Sequence, residues 1–495
     1  MKTKLLSLFT LLFCITLFAG DTTTVRIHDH TDMTWNGNYD TWGQLPDASK
    51  DYRKVYLHYT MGCATGGCSD WDYTSQIFVR HRTGELDTSF NEIIEDFELA
   101  RVITPYGSGL ANNWEFTTTF DITDFVQVLR DSVEIRCHYD GWSSGFSATL
   151  DFEFIEGTPA RNVVQLDNIY SGGYNYVSSS DFEATKLTPQ TKFIKTNSTQ
   201  AMLKMTATGH GFDNNASAAE FKPIDYFIKV DGIQTHTQYN WDADCGENPI
   251  YPQGGTWIYD RANWCPGKRA QTFNHEISSY ITSGDSTELD IDFQSYSWSG
   301  TQTPSYIIQC QLFQYEDANF SNSAEIIDII KPSLKDEYSR KNPICGKPLI
   351  KIRNYGSTTL TSLKIEYNVL GGTPNTYNWT GNLEFLETEE VELLNLSNWS
   401  GSENTFEVIL SNPNGLSDDY SENNTMLSKF EAVPEYPVKF ALWLGTNGGV
   451  INTFSQESET TWDFYNENGN IEFTSGSLYS NTQYRDTLTF SEGCY

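Results

Sequence analysis

Short runs of strict alternation recur along the chain. Leu150, Phe152 and Phe154 interleave with Thr149, Asp151 and Glu153, and Leu289, Ile291 and Phe293 interleave with Glu288, Asp290 and Asp292. A period of two with one apolar set predicts strands that bury a single face. Thr74–Arg80, Val133–Cys137, Ile307–Phe313 and Arg485–Phe490 read as further strands. A helix needs apolar positions three and four apart over ten or more residues, and Ser89–Leu99 is the segment that comes nearest. The expected class is therefore all-β, built from antiparallel sandwiches or jelly rolls.

Four segments follow from turns and linkers. Residues 21–159 end on the turn Glu156-Gly157-Thr158-Pro159, and residues 160–316 form a second β unit. The polar stretch Glu316–Asn322 reads as a linker. A third unit, 326–434, contains Arg353-Asn354-Tyr355-Gly356 running on to Leu360, Leu363 and Ile365, and later Tyr420-Ser421-Glu422-Asn423-Asn424. With these it resembles the immunoglobulin-like, cell-adhesion-related modules appended to many secreted bacterial enzymes. Residues 436–495 form a short β-rich segment. Its last strand is followed by Ser491 to Tyr495 alone, so a truncated domain is expected, with Cys494 deprived of its partner.

The first twenty residues change the picture of the compartment. Lys2 and Lys4 precede an apolar run from Leu5 to Phe18, and Ala19-Gly20 stand before Asp21. That is the form of a secretory signal peptide, too short for a membrane span. A secreted protein is expected, periplasmic or extracellular, with surface attachment left open. Cys14 follows Phe13 where a lipid-anchored leader wants a small residue, so it leaves with the peptide. Cysteines 63, 68, 137, 245, 265, 310, 345 and 494 remain, an even set in an oxidising compartment. Cys137 and Cys310 lie in strand-like runs and are expected as buried thiols. No second long apolar segment follows, so no membrane span is expected, and oligomeric state is not legible. A formal charge of −33 argues against nucleic acid as a partner. The densest basic cluster, Lys335–Lys351, is interrupted by acids, Pro343 and Cys345.

Candidate chemistry concentrates in four places. Cys63 and Cys68 bracket a glycine-rich loop that delivers Asp70, Trp71, Asp72 and Tyr73 into a strand. His138, Asp140, Gly141 and Trp142 follow another strand. Gly209-His210-Gly211 leads to Ala218, Ala219 and Glu220. Cys245 precedes Asp260, Arg261, Trp264 and Cys265. Acids beside tryptophans at glycine-rich turns suit a sugar site, since aromatic faces cover a pyranose and carboxylates bind hydroxyls or move protons. Each residue also has a structural alternative: Asp72 can cap a turn, Glu220 can be a solvated acid, Asp140-Gly141 is a common turn pair, and Trp142 can be core. Arg261 and Trp264 can simply pack near a Cys245–Cys265 bridge.

The combination resembles the bacterial peptide:N-glycosidase F family, the peptide-N4-(N-acetyl-β-glucosaminyl)asparagine amidases. The resemblance is carried by Cys63 and Cys68 with Trp71-Asp72, by Ile103-Thr104-Pro105-Tyr106, by Asp121 to Phe125, by Glu156 to Pro159 and by Asp260 to Gly267. These words keep the family's order across roughly residues 25–315. The resemblance implies two tandem eight-stranded jelly rolls with a site at their interface, and hydrolysis of the amide joining asparagine to the first N-acetylglucosamine of an N-linked glycoprotein or glycopeptide. It places Asp72 as the principal catalytic aspartate and Glu220 as a glutamate serving the sugar and a bridging water. Asp140, Trp142, Trp71, Arg261 and Trp264 fall at substrate-binding positions.

Three departures stand out. Tyr73 replaces the arginine that follows the family's catalytic aspartate. Ala218 and Lys222 replace two cysteines that close a small loop around the glutamate, so Glu220 is expected to be held less tightly. Asp140 is one methylene shorter than the family's glutamate. No cofactor or metal is expected: His28 and His30 are the one pair at ligand-like spacing, His210 and His236 are isolated, and no C-x2-C pair is present. That sets aside copper monooxygenases on related tandem sandwiches. A non-catalytic carbohydrate- or glycoprotein-binding protein on the same fold is the alternative function, and an adhesin built around the 326–434 module is a third.

Overall fold

The alternation at Leu150, Phe152 and Phe154 forms a strand, Phe146–Glu156, with those three side chains fully buried and Thr149, Asp151 and Glu153 partly exposed. A computed structural model describes residues 21–494 except 213–217, 397–398, 400–403, 449, 453–456, 459 and 467–468, and the expected signal peptide lies outside the described residues. The chain divides into two compact units, one of residues up to 243 with 253–317, the other of 244–252 with 318 onward.

In the first unit the strands are β1 (Thr22–Met33), β2 (Gly37–Gln44), β3 (Tyr52–Cys63), β4 (Thr74–Leu86), β5 (Glu92–Ile103), β6 (Glu115–Asp121), β7 (Ser132–Tyr139) and β8 (Phe146–Glu156). They form sheets β1-β8-β3-β6 and β2-β7-β4-β5. First pairs with last throughout, β1 with β8, β2 with β7, β3 with β6 and β4 with β5, all antiparallel. One long hairpin has been rolled so that successive pairs alternate between sheets, which is the jelly roll. Opposed residues such as Leu57 and Phe152 face a shared core, each large side chain worth about 1.5–3 kcal/mol in transfer from water.

The same pattern repeats in β9 (Arg161–Asn175), β10 (Gln190–Phe193), β11 (Gln200–His210), β12 (Asp225–Val230), β13 (Ile233–Tyr239), β14 (Phe273–Glu276), β15 (Ser286–Phe293) and β16 (Ser305–Ala318). The sheets are β10-β15-β12-β13 and β14-β11-β16-β9, the order of the first roll again. Leu289, Ile291 and Phe293 point into the second core as their alternation predicts. The class is all-β with tandem antiparallel jelly rolls.

Strand β5 locks the two rolls together, and it overlaps Ser89–Leu99, the segment that came nearest to a helical pattern. Residues 97–103 are all buried because β14-β11-β16-β9 and its loops cover what would otherwise be an outward face. Arg101 is fully buried, pairs with Glu98 at 2.7 Å, and donates to Thr208 Oγ1 and Ile307 O at 2.8 Å each. The backbone of Gly267 donates to Ile103 O (2.8 Å), Ile103 donates to Lys268 O (3.1 Å), and Ala270 donates to Arg101 O (3.0 Å). Phe125 meets Phe313 edge-on with centroids 5.1 Å apart.

The second unit holds a further sandwich: β17 (Ala324–Lys331), β18 (Leu349–Asn354) and β21 (Thr388–Glu392) form one sheet, and β19 (Leu360–Val369), β20 (Asn375–Leu383), β22 (Thr405–Ser411) and β23 (Thr425–Lys429) the other, around one core. Lys439–Gly445 then pairs with Gln483–Thr489. Two expectations are corrected. Cys494 has a partner, since it is bonded to Cys345. The linker expected from Glu316 begins later, because β16 runs to Ala318, with Asn162 donating to Glu316 and Thr199 to Asp317. Cys137 and Cys310 are buried free thiols. Among the described residues no helix is long and apolar enough to cross a membrane.

Candidate functional site

Asp72 lies in the loop between β3 and β4, and that loop is fixed from three directions. The Cys63–Cys68 disulfide closes it with Cα atoms 4.4 Å apart, and Gly67, at φ +102°, donates to Ala64 O at 2.8 Å. Neighbouring loops approach so closely that a Cβ on Gly107 would lie 2.5 Å from Ser69 O, and one on Gly145 2.1 Å from Ser69 N. Buried Thr104 accepts the Tyr73 N–H at 2.7 Å, donates its hydroxyl to Trp71 O at 3.0 Å, and donates its own N–H to Tyr73 O at 2.8 Å. Both peptides flanking Asp72 are thus held.

Asp72 Oδ2 accepts a hydrogen bond from Tyr106 Oη at 2.8 Å. Burial raises the Asp72 carboxyl above its ordinary 3.8, against the opposing pulls of that hydrogen bond and of the Arg261 charge. Burial, with the Asp72 charge adding, pushes the Tyr106 phenol up to about 12, so it stays a donor. Asp70, two residues earlier, is exposed.

From Tyr106 a hydrogen-bond chain runs into the second roll. Tyr106 Oη is 3.3 Å from Thr256 Oγ1, which accepts from Arg261 Nη2 at 2.8 Å. Arg261 Nε donates to Glu220 Oε1 at 3.1 Å. The remaining guanidinium donors reach Tyr259 O (2.6 Å) and Thr256 O (3.1 Å), and Trp264 and Phe221 lie 4.8 and 4.9 Å from its carbon. Burial raises Glu220 above the usual carboxylate value while Arg261 pulls it back, and the nearby Asp72 charge adds to the rise.

Residues Arg261 to Gly267 are buried without interruption, so the recognisable word Asp260–Gly267 is a plug between the rolls. Arg261 and Asp242 exchange backbone hydrogen bonds at 2.8 and 3.3 Å. Trp264 is 3 % exposed, donates Nε1–H to Gly209 O at 2.7 Å and stacks on His210. Its faces therefore support the arginine and leave no open surface for a sugar. Arg261 is likewise wholly buried and acts on Glu220 and Thr256. Glu220 is better held than the missing cysteines led us to expect: its N–H donates to Gly211 O at 3.3 Å, its carbonyl accepts from Ala262 N at 2.9 Å, and Gly209 lets Ala219 and Ala262 close in, where a Cβ would meet each at 2.7 Å. Cys245 and Cys265 are each disulfide-bonded.

The third cluster is at the end of β7. Gly141 passes so close to the Tyr139 ring that a Cβ would sit 2.1 Å from it, and Trp142 is thrown outward, 65 % exposed. Asp140 Oδ1 accepts from Asn36 Nδ2 (2.8 Å) and stands 3.3 Å from His138 Nε2. The His138 hydrogen bond holds the Asp140 carboxyl below its ordinary value, against burial. His210 is pushed down to about 3, first by burial and then by the Arg101 charge, so its imidazole is neutral. Ser69 and Ser143 hydroxyls meet at 2.7 Å, and Tyr73 Oη is 3.1 Å from Ser143 Oγ, so this loop and the Asp72 loop share a strut. Tyr73, in the arginine's place, packs edge-on against Tyr139. Trp71 is exposed.

Sequence reasoning did not single out Thr104, Tyr106, Thr256, Trp35 or Asn36 as site residues. Tyr106 and Thr104 were in view as part of Ile103-Thr104-Pro105-Tyr106, but neither carries charge at neutral pH and nothing marked them as partners of Asp72.

The site is thus a pair of half-buried carboxylates joined through a phenol, a threonine and a guanidinium across two jelly rolls, with exposed tryptophans alongside. Its likeness among known proteins is to the PNGase F family. The family model described as peptide-N-glycosidase F, C terminal, matches residues 177–312. The peptide-N(4)-(N-acetyl-beta-D-glucosaminyl)asparagine amidase F of Elizabethkingia miricola is 26 % identical over 253 residues, 48 % of this chain and 67 % of that protein. Among solved structures, PNGase F, a glycosylasparaginase from Flavobacterium meningosepticum, is 22 % identical with a TM-score of 0.49, covering 60 % of this chain and 96 % of that one. PNGF-II is 14 % identical with a TM-score of 0.46, covering 59 % and 66 %.

Proposed function

We propose that the chain is an amidase that hydrolyses the bond between an asparagine side chain and N-acetylglucosamine in N-glycoproteins or glycopeptides, leaving aspartate in the polypeptide. The observation that carries this reading is the hydrogen-bond chain from Asp72 through Tyr106, Thr256 and Arg261 to Glu220. The sequence likeness to an enzyme bearing that activity in its name supports it.

Amide hydrolysis requires a base for water and an acid for the departing nitrogen. In this reading the ionised Asp72 takes a proton from water as the hydroxyl attacks the asparagine Cγ. The protonated Asp72 then gives that proton to the glycosylamine nitrogen as the C–N bond breaks. A carboxyl raised above 3.8 by burial serves both halves better than an ordinary aspartate. Glu220, anchored by Arg261, binds a sugar hydroxyl or an ordered water, and Asp140 with Trp142 and Trp71 holds the sugar. The released glycosylamine loses ammonia in water. Six disulfide-bonded cysteines accord with the oxidising compartment that a signal peptide implies.

The alternative, glycan binding without turnover, draws on Tyr73 standing where the family has an arginine. Incubating the chain with a glycopeptide in ¹⁸O-water separates the two. The amidase reading expects aspartate carrying ¹⁸O at the former asparagine. Unlabelled, intact glycopeptide across several glycans and pH values would overturn it.

A further inference from the structure

We infer that Trp35, in the turn between β1 and β2, sets glycan preference by forming, with Trp142, a corner that receives the second sugar of the chain attached to asparagine. This rests on the amidase reading above and extends its site beyond the first sugar.

Trp35 is 55 % exposed and Trp142 65 %, yet the two indoles stand edge-to-face, centroids 6.2 Å apart and planes at 82°. Isolated exposed tryptophans are common, but this one is held in place. Tyr39 Oη accepts from the N–H groups of Thr34 (2.8 Å) and Trp35 (3.0 Å) and donates to Trp35 O (2.9 Å). The Tyr39 ring itself packs on the first core. The next residue, Asn36, donates to Asp140 Oδ1 at 2.8 Å. The turn is therefore tied to the carboxylate assigned to the sugar. Among the described residues both hydrogen bonds to Asp140 end on Oδ1, which leaves Oδ2 its lone pairs for a hydroxyl.

Perpendicular rings cannot both stack on one pyranose. A corner instead presents one aromatic face to each of two consecutive sugars, with a hydroxyl acceptor at its base. Trp142 and Asp140 serve the first ring, so the face of Trp35 falls to the second. The shorter Asp140 is part of the same arrangement, because the Asn36 side chain reaches it from this turn.

The test compares two glycopeptides, one bearing a single N-acetylglucosamine and one bearing a β-1,4-linked pair, with the full chain and its Trp35→Ala, Trp35→Phe and Trp42→Ala variants. Trp42 is an exposed tryptophan on β2 that lies against Arg82 and serves as the control. Loss of one aromatic stacking contact should lower the two-sugar to one-sugar kcat/KM ratio about 3- to 10-fold in Trp35→Ala, through KM. Trp35→Phe should keep most of the preference, and Trp42→Ala should keep all of it. An unchanged ratio in Trp35→Ala, or an equal fall in Trp42→Ala, overturns the inference. If the wild type converts neither glycopeptide, the amidase reading fails by itself, and titration of the free disaccharide by tryptophan fluorescence decides the corner. Weaker binding to Trp35→Ala than to wild type upholds it, and equal binding overturns it.

Discussion

Asp72 and Glu220 stand at opposite ends of one hydrogen-bond chain, and the two jelly rolls hold them by different means. The first roll fixes the backbone on both sides of Asp72 with a disulfide, close-packed glycines and Thr104, then gives the carboxylate a neutral phenol as its direct partner. The second roll has no such staple at Glu220 and anchors the side chain itself on a buried guanidinium. A neutral donor orients an acid without neutralising it, whereas a paired charge keeps its acid ionised. In the amidase reading proposed above, proton transfer goes to Asp72 and anionic binding to Glu220, and burial raises both carboxyls while Arg261 opposes it. The difference also locates the weak points: Asp72 depends on its loop, and the Glu220 side chain, whose backbone is held by Gly211 and Ala262, depends on Arg261.

Removing the arginine should do the most damage to the fold. Arg261→Met strands the Glu220 carboxylate and empties several hydrogen bonds, and breaking such a buried pair costs about 3–5 kcal/mol. Chemical denaturation should show that loss, and a near-neutral result would mean that the pair does not carry the second half of the site. Opening the staple comes next. Cys63→Ser with Cys68→Ser releases a short loop worth about 2 kcal/mol in chain entropy. Turnover should suffer beyond what stability explains, measurable well below the unfolding temperature, because the Asp72 backbone loses its register.

Tyr106→Phe tests the phenol. A hydrogen bond to a charged acceptor is worth enough for a fall in kcat/KM of roughly tenfold. That bond lowers the Asp72 pKa, so its loss raises it, and the acid limb of the pH–rate profile should move to higher pH. A limb that stays put would assign the profile to another group. The smallest effect is on stability. The native carboxyl of Asp72 titrates above 3.8, so the folded state holds its proton longer and stability falls as pH rises through that window. Asp72→Asn removes the penalty and still accepts from Tyr106. It should melt higher than wild type at neutral pH and lose that advantage below 3.8.

The strands with one wet face were legible from sequence, β8 and β15 above all, because solvent on one side enforces alternation. β5 was not, since the second roll covers it and its last seven residues are all buried, and the Glu98–Arg101 pair puts charge inside a core. The stapled loop and the Asp72, Glu220 and Asp140 acids stood out because cysteine spacing and carboxylates beside tryptophans leave local marks. Tyr106 and Thr256 left none, since a hydroxyl becomes a partner only when folding brings distant chain segments within reach. Trp264 showed the reverse: a tryptophan beside an arginine reads as a sugar contact, yet its ring is used up supporting that arginine.

The division of labour between the two acids is tested most directly by single-turnover conversion of a glycopeptide asparagine to aspartate by wild type, Asp72→Asn and Glu220→Gln at saturating substrate. Loss of the general base should cost Asp72→Asn roughly 10²- to 10⁴-fold in rate. Glu220→Gln should lose mainly affinity and keep more of its rate when saturated. Equal rates for Asp72→Asn and wild type, or the whole rate loss falling on Glu220→Gln, would contradict the account.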